Sequence, residues 1–266
     1  MERYIELPAC TLHYKLSGQG PLVLLIHGYL ENIDIWDDFV GGLEQHFSVL
    51  RVDMPGHGKS VCKLQTIGME FMADCVSAVI SSLALKKVFL VGHSMGGYVS
   101  LAFAERYPTR VSGLCLLHST PDPDSAEKRK GRLDDIELVK ANGKEKIVDT
   151  NIPRLFAKQN LDRFAAAVNR SKKIALSTPD LGIIGALNGM AQRPDRNHVV
   201  AAASFPVFFI YGRHDNLIAT DVATSVAERH KKARTIFLDN SGHLGFIEEK
   251  DQTTAAIISI LTQVFS

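Results

Sequence analysis

Three residues able to form a hydrolytic relay lie far apart in this chain, each in the same local setting. Gly92-His93-Ser94-Met95-Gly96-Gly97 stands between an apolar run ending at Val91 and a helix-forming stretch from Tyr98 to Arg106. This is G-x-S-x-G at a strand-to-helix turn, where small neighbours let a serine adopt a strained conformation with its hydroxyl exposed above a sheet. The helix that follows aims its first N–H groups at negative charge developing there. A serine nucleophile needs a base within hydrogen-bond reach, and the base needs a group that fixes its tautomer. Gly212-Arg213-His214-Asp215 follows the apolar run Val207–Tyr211, and Asp239-Asn240-Ser241-Gly242-His243 follows Thr235–Leu238. Ser94, Asp215 and His243 thus each come just past the carboxyl end of a candidate strand, the edge where open α/β sheets bind ligands. Serine, aspartate, histidine is also the chain order that accompanies the serine turn.

A fourth element supplies electrostatic help. His27-Gly28-Tyr29 follows the run Leu22–Ile26. A main-chain N–H from this loop, with that of the residue after the serine, makes an oxyanion hole, so Tyr29 and Met95 are the expected donors. Other residues compete for these roles. Asp122 follows the run Leu114–Leu117 and rivals Asp215 as the acid. His27, His57, His118 and His214 also follow strand-like runs and read as pocket lining or turn supports, while His93 should point away from the pocket. His243 is preferred as base because it follows the last strand, behind a glycine that permits close approach to Ser94. Asp53-Met54-Pro55-Gly56-His57-Gly58-Lys59-Ser60 reads as an architectural turn.

These groups require a frame that brings strand ends together. The runs Leu22–Ile26, Val49–Val52, Val88–Val91, Leu114–Leu117, Val207–Tyr211 and Thr235–Leu238 have the continuity of strands buried on both faces. Amphipathic stretches alternate with them, including one through Met69, Met72, Val76, Val79, Ile80 and Leu83 and another through Ile257, Ile260, Leu261 and Val264. Such alternation signals an α/β fold with a mostly parallel sheet covered on both sides. The opening segment Arg3–Leu16 reads as a hairpin with Pro8 near its turn. From Pro121 to Ser204 no strand-like run occurs, and helices are expected at Ser125–Ala141, Leu161–Ile174 and Leu181–Met190, separated by prolines. Trp36, spaced helically with Phe39 and Val40, reads as core.

Composition narrows the function classes. The chain has 266 residues, 45% hydrophobic and 22% charged, and a net charge of +1. That balance gives no global field for nucleic acid or a membrane surface. Cys10, Cys62, Cys75 and Cys115 lack C-x-x-C spacing and read as small buried hydrophobes, with no metal site suggested. No signal-like or membrane-length apolar run appears, so a cytoplasmic location is expected. Charge is uneven in one place. The segment from Pro121 to Ser204 carries fifteen Lys or Arg and eleven Asp or Glu, a net +4. The run Lys128-Arg129-Lys130-x-Arg132 reads as a solvated face. Arg193, stiffened by Pro194 where the segment returns to the sheet, is the first choice for holding a substrate carboxylate.

At this point the chain resembles the α/β-hydrolase superfamily over essentially its whole length. The resemblance rests on His27-Gly28, Asp53-x-Pro55-Gly56-x-Gly58-x-Ser60, Gly92-His93-Ser94-Met95-Gly96-Gly97, Gly212-x-x-Asp215 and Gly242-His243. It is most similar to small capped serine hydrolases such as enol-lactonases, short-chain esterases and cofactor-free haloperoxidases. The resemblance implies an eight-stranded, mostly parallel sheet with helices on both faces and a helical cap after the sixth strand. The core would then be residues 1–120 and 205–266, and the cap 121–204. It also implies a Ser94–His243–Asp215 triad cleaving a small carboxylic ester, thioester or lactone through an acyl-enzyme, without metal or organic cofactor. The alternatives are a carbon–carbon bond hydrolase or perhydrolase with the same triad, or a slow-turnover signalling receptor on the hydrolase scaffold. Leu244 stands after His243 where the carbon–carbon branch typically has tryptophan.

Overall fold

The structure, a computed structural model, describes residues 2–266. Strands β1 (Glu2–Leu7) and β2 (Cys10–Ser17) form the expected antiparallel hairpin, turning at Pro8 and Ala9. β3 (Leu22–Ile26), β4 (Ser48–Val52), β6 (Val88–His93), β7 (Val111–Leu117), β8 (Val207–Gly212) and β9 (Arg234–Leu238) run parallel to one another. The path across the sheet is β1-β2-β4-β3-β6-β7-β8-β9, the eight expected strands. A ninth, β5 (Val61–Cys62), pairs with the start of β2. Two residues carry no periodicity, so the sequence offers no sign of it.

β3, β6 and β8 are buried throughout, which is why they read as unbroken apolar runs. Successive side chains alternate between two cores. Leu24, Ile26, Leu90, Leu114, Leu116 and Phe209 meet helices α2 (Met69–Ser82) and α3 (Met95–Arg106) on one face. Val23, Leu25, Phe89, Val91, Cys115 and Phe208 meet α1 (Asp37–Glu44) and α11 (Lys250–Phe265) on the other. Trp36 is fully buried against Phe246, with ring centroids 4.4 Å apart, in the core role expected of it. Each full burial of a large side chain is worth about 1.5–3 kcal/mol, so these two layers hold the strand ends rigidly in place.

Between β7 and β8 the chain forms five helices and, among the described residues, no strand: α4 (Ala126–Lys140), α5 (Lys144–Arg154), α6 (Ala165–Ser177), α7 (Asp180–Ala191) and α8 (Asn197–Ala201). Ser125 caps α4 by accepting the Lys128 amide at 3.2 Å. α4 and α7 fall within one residue of expectation. α6 starts four residues later than Leu161 and ends three past Ile174, because residues 161–164 form a turn after a 3-10 stretch at Lys158–Asn160. α5 was not anticipated, since Pro153 reads as a separator. It instead occupies the last turn, one residue before the helix ends, while Ile147, Val148 and Ile152 supply the buried face. After β8 come α9 (Thr220–Arg229), β9, the short α10 (Gly245–Glu248) and α11. Among the described residues no helix is long and apolar enough to cross a membrane.

Candidate active site

β6 ends and α3 begins around Ser94, whose backbone sits at φ 50° and ψ −115°. A non-glycine residue there costs on the order of 1–3 kcal/mol and persists only when its surroundings enforce it. They do so from two sides. A Cβ on Gly96 would lie 2.2 Å from the Ile26 carbonyl oxygen, and one on Gly92 would lie 2.4 Å from that of Gly96, so glycines alone let α3 abut β3 and β6. From the neighbouring strand, the Ser94 amide donates to the Leu117 carbonyl at 3.0 Å and the Ser119 hydroxyl donates to the Ser94 carbonyl at 2.8 Å. Ser94 is the only partly exposed residue between Val91 and Gly97.

The loops after β8 and β9 bring Asp215 and His243 together. His243 Nδ1 donates to Asp215 Oδ2 at 2.7 Å, with both side chains buried. The other carboxylate oxygen, Oδ1, accepts the amides of Leu217 at 2.8 Å and Ile218 at 3.0 Å. Burial alone would raise this carboxyl. The charge His243 can carry and its hydrogen bond, with the His118 ring close by, outweigh it and hold Asp215 far below the usual carboxylate range. The His243 amide donates to the Leu155 carbonyl at 2.7 Å, which ties the histidine loop to the end of α5. Nε2 of His243 is buried and has no hydrogen-bond partner. The contact with Ser94 Oγ is therefore not made here; such bonds commonly tighten only around substrate.

The remaining candidates sort by what they touch. Tyr29 lies in the loop after β3 and Met95 directly follows Ser94, and among the described residues neither amide donates to a protein acceptor. Met95 is the first residue of α3, so its N–H lies at the positive end of the helix. His27 braces this loop: Nδ1 donates to the Gly28 carbonyl at 2.8 Å and Nε2 accepts the Met54 amide at 2.9 Å. Asp53 is architectural as expected, accepting the amides of Ile33 at 2.8 Å and Lys59 at 2.9 Å and the His13 ring at 2.7 Å. Asp122 pairs with Arg229 at 2.7 Å, away from His243. His214 is exposed, and burial pushes His57 down to about 3.

Arg193 is a correction. Its guanidinium pairs with buried Asp124 at 2.7 Å, donates to the carbonyls of Met190 and Asp122 at 3.1 Å each, and lies 3.9 Å over the Tyr98 ring. With the whole residue 6% exposed, both terminal nitrogens are engaged within the protein and only buried Nε has no partner, so the guanidinium holds the helical segment and is not offered to a substrate carboxylate. Two residues acquire importance that spacing did not reveal. His118 Nδ1 lies 3.6 Å from Asp215 Oδ2, and its Nε2 accepts the Gly245 amide at 3.2 Å. Burial lowers it to about 4, so it faces Asp215 as a neutral ring. Glu31 is a 3%-exposed acid whose partner, His93, lies 62 residues away.

The sequence and fold are similar to those of known proteins. A family model described as alpha/beta hydrolase fold matches residues 21–250. The pimeloyl-[acyl-carrier protein] methyl ester esterase of Vibrio campbellii is 29% identical over 247 residues, covering 91% of this chain and 94% of that protein. A thermophilic esterase from Thermogutta terrifontis, solved with malate bound, superposes with a TM-score of 0.95 at 30% identity over 100% of both chains. The enol-lactonase from Burkholderia xenovorans LB400 shares the fold at a TM-score of 0.89 and 24% identity, covering 98% of this chain and 100% of that one. A serine on a strained strand-to-helix turn, a buried aspartate–histidine pair at the same sheet edge and a family match spanning most of the sequence agree: the chain belongs to the α/β hydrolase fold family.

Proposed function

We propose that this enzyme hydrolyses a small carboxylic ester, thioester or lactone through an acyl-enzyme on Ser94. The observation that carries the reading is the buried Asp215–His243 pair at 2.7 Å with Nε2 of His243 left free. Nδ1 holds a proton for Asp215, so Nε2 is the acceptor in the neutral ring. It takes the Ser94 hydroxyl proton as Oγ attacks the carbonyl carbon. The oxyanion that forms accepts hydrogen bonds from the Tyr29 and Met95 amides, each worth about 3–4 kcal/mol by analogy with a side-chain donor removed from such a hole. Collapse breaks the ester C–O bond, and His243 returns the proton to the leaving oxygen. Water then attacks the acyl carbon with His243 as base, releasing the acid and restoring Ser94.

That the Vibrio and Thermogutta relatives are esterases supports ester cleavage by the same frame. We read residues 121–204 as a cap on a core of residues 1–120 and 205–266. That reading is supported by the Leu155 carbonyl holding the His243 amide and by Asn216 donating to the carbonyls of Arg154 and Phe156 at 3.0 Å. The expected substrates are small molecules, and no step needs a metal. A fluorophosphonate probe tests the assignment: it should label the wild-type chain at Ser94 and leave Ser94→Ala unlabelled. Labelling at another serine, with activity kept in Ser94→Ala, would overturn it.

A further inference from the structure

The triad reading leaves a buried ionisable pair unexplained. Glu31 lies in the loop that carries Tyr29, and His93 immediately precedes Ser94; they are 3% and 0% exposed. Burying a charge without a partner is prohibitive, and even a paired one is retained only with good geometry. Here the geometry is complete. Glu31 Oε2 accepts the Gly28 amide at 2.6 Å and His93 Nδ1 at 3.0 Å. His93 Nε2 lies 2.9 Å from the main-chain carbonyl oxygen of His243. Glu31 is held below the usual carboxylate range, and as a carboxylate it only accepts, as the carbonyl does, so both ring nitrogens carry hydrogen and the ring is an imidazolium. Gly28 is fitted to the same feature: a Cβ there would lie 2.9 Å from both Glu31 Oε2 and His93 Nδ1.

We propose that the Glu31–His93 ion pair is a positioning device that fixes the oxyanion loop, the serine turn and the His243 loop relative to one another. It rests on the reading of His243 as the base and Tyr29 as an oxyanion donor. Each of the three loops contributes one end of the network: the Gly28 amide, the His93 ring and the His243 carbonyl. Neither member touches the reacting atoms. The titratable groups around the His93 ring are Glu31 from the loop after β3, His118 after β7, Asp215 after β8 and His243 after β9, with His27 beside Glu31. Burial opposes the charge on His93, but the Glu31 carboxylate and its hydrogen bond prevail and raise its pKa. Removing the carboxylate charge leaves burial opposed only by the His243 carbonyl and the more distant Asp215. The ring then gives up one proton and must abandon either the side chain at position 31 or the His243 carbonyl.

Glu31→Gln keeps the size and an acceptor while deleting the charge. The expected result is a fall of about 10–100-fold in kcat at pH 8, with KM within about two-fold, since small misplacements of catalytic groups cost up to about 10²-fold. The loss should persist from pH 8 down to pH 6, because a buried ring without its counter-charge stays neutral there, as His118 and His57 do. An unchanged kcat, or a loss carried by KM with kcat kept, would overturn the proposal, because misplaced catalytic groups slow the chemical step. A second measurement avoids both the variant's folding and the catalytic reading. In ¹⁵N-histidine-labelled wild type, His93 should show two protected ring N–H signals with imidazolium shifts up to pH 8, assigned by their loss in His93→Gln. A single N–H signal at pH 7 would refute the ion pair. Failure of Ser94→Ala to lose activity would instead count against the triad and leave the spectroscopic result standing.

Discussion

Replacing Asp215 by asparagine tests how the acid acts, and the structure fixes the outcome. Oδ1 of Asp215 accepts two loop amides, Leu217 at 2.8 Å and Ile218 at 3.0 Å, and Oδ2 faces His243 Nδ1 at 2.7 Å. In the variant the amide oxygen must stay with the two loop N–H groups, because the amide nitrogen cannot accept from them. The NH₂ group is then forced towards His243. Nδ1 has to become the acceptor, the ring proton moves to Nε2, and Nε2 no longer takes the proton of Ser94. The same wrong-tautomer effect in a known serine protease costs about 10⁴ in kcat, which corresponds to about 5.5 kcal/mol of transition-state stabilisation. Stopped-flow and steady-state hydrolysis of p-nitrophenyl acetate measure it, with Asp122→Asn as control. Asp122 bonds Arg229 at 2.7 Å, Asn197 at 2.8 Å and Thr120 at 3.0 Å, so its replacement should change kcat by no more than a few-fold. Asp215→Asn within ten-fold of wild type, or the two effects reversed, would refute the reasoning.

Ser94→Ala should cost on the order of 10⁶ in kcat while leaving the thermal midpoint within a few degrees, since the partly exposed hydroxyl packs nothing; both are read on one protein preparation. Arg193→Ala should destabilise the chain by about 2–4 kcal/mol in urea unfolding, as Asp124 loses one of its two arginines and Tyr98 its cation. It should leave the rate ratio of a monomethyl dicarboxylate to the matching neutral methyl ester unchanged; a collapse of that ratio would restore Arg193 as a substrate contact. Stability should fall as pH drops from 7 to 5. His118 and His57, held by burial near 4 and 3, stay neutral in the native state while their unfolded counterparts take up protons near 6.5. The unfolded state then binds more protons, and each ring contributes a loss of about 2 kcal/mol at pH 5. His93, shifted upward, works in the opposite sense. A urea midpoint unchanged between pH 7 and 5 would contradict the burial of neutral rings.

The strands were legible because burial on both faces leaves no room for polar residues, so β3, β6 and β8 appear as uninterrupted apolar runs. Ser94, Asp215 and His243 were legible because each follows such a run, and a parallel sheet delivers all those ends to one edge. The segment between β7 and β8 was harder. Its helices are half-exposed and rich in charge, so α5, with Pro153 in its last turn, lacked a clean signal. Side-chain direction was not legible at all. The sequence places Arg193 in a basic segment but does not say that Asp124 and Tyr98 consume its guanidinium. Glu31 likewise looks like an ordinary loop acid until its partner, 62 residues on, is seen beside it.

The covalent acyl group proposed on Ser94 can be weighed directly. The chain is mixed with a p-nitrophenyl ester, quenched in acid within the first turnover, digested and measured by mass spectrometry. A burst of p-nitrophenolate matching the enzyme concentration is expected, with the mass of the acyl group on the peptide that contains Ser94. Steady hydrolysis with an unmodified Ser94 peptide, or the acyl group found on another residue, would contradict it.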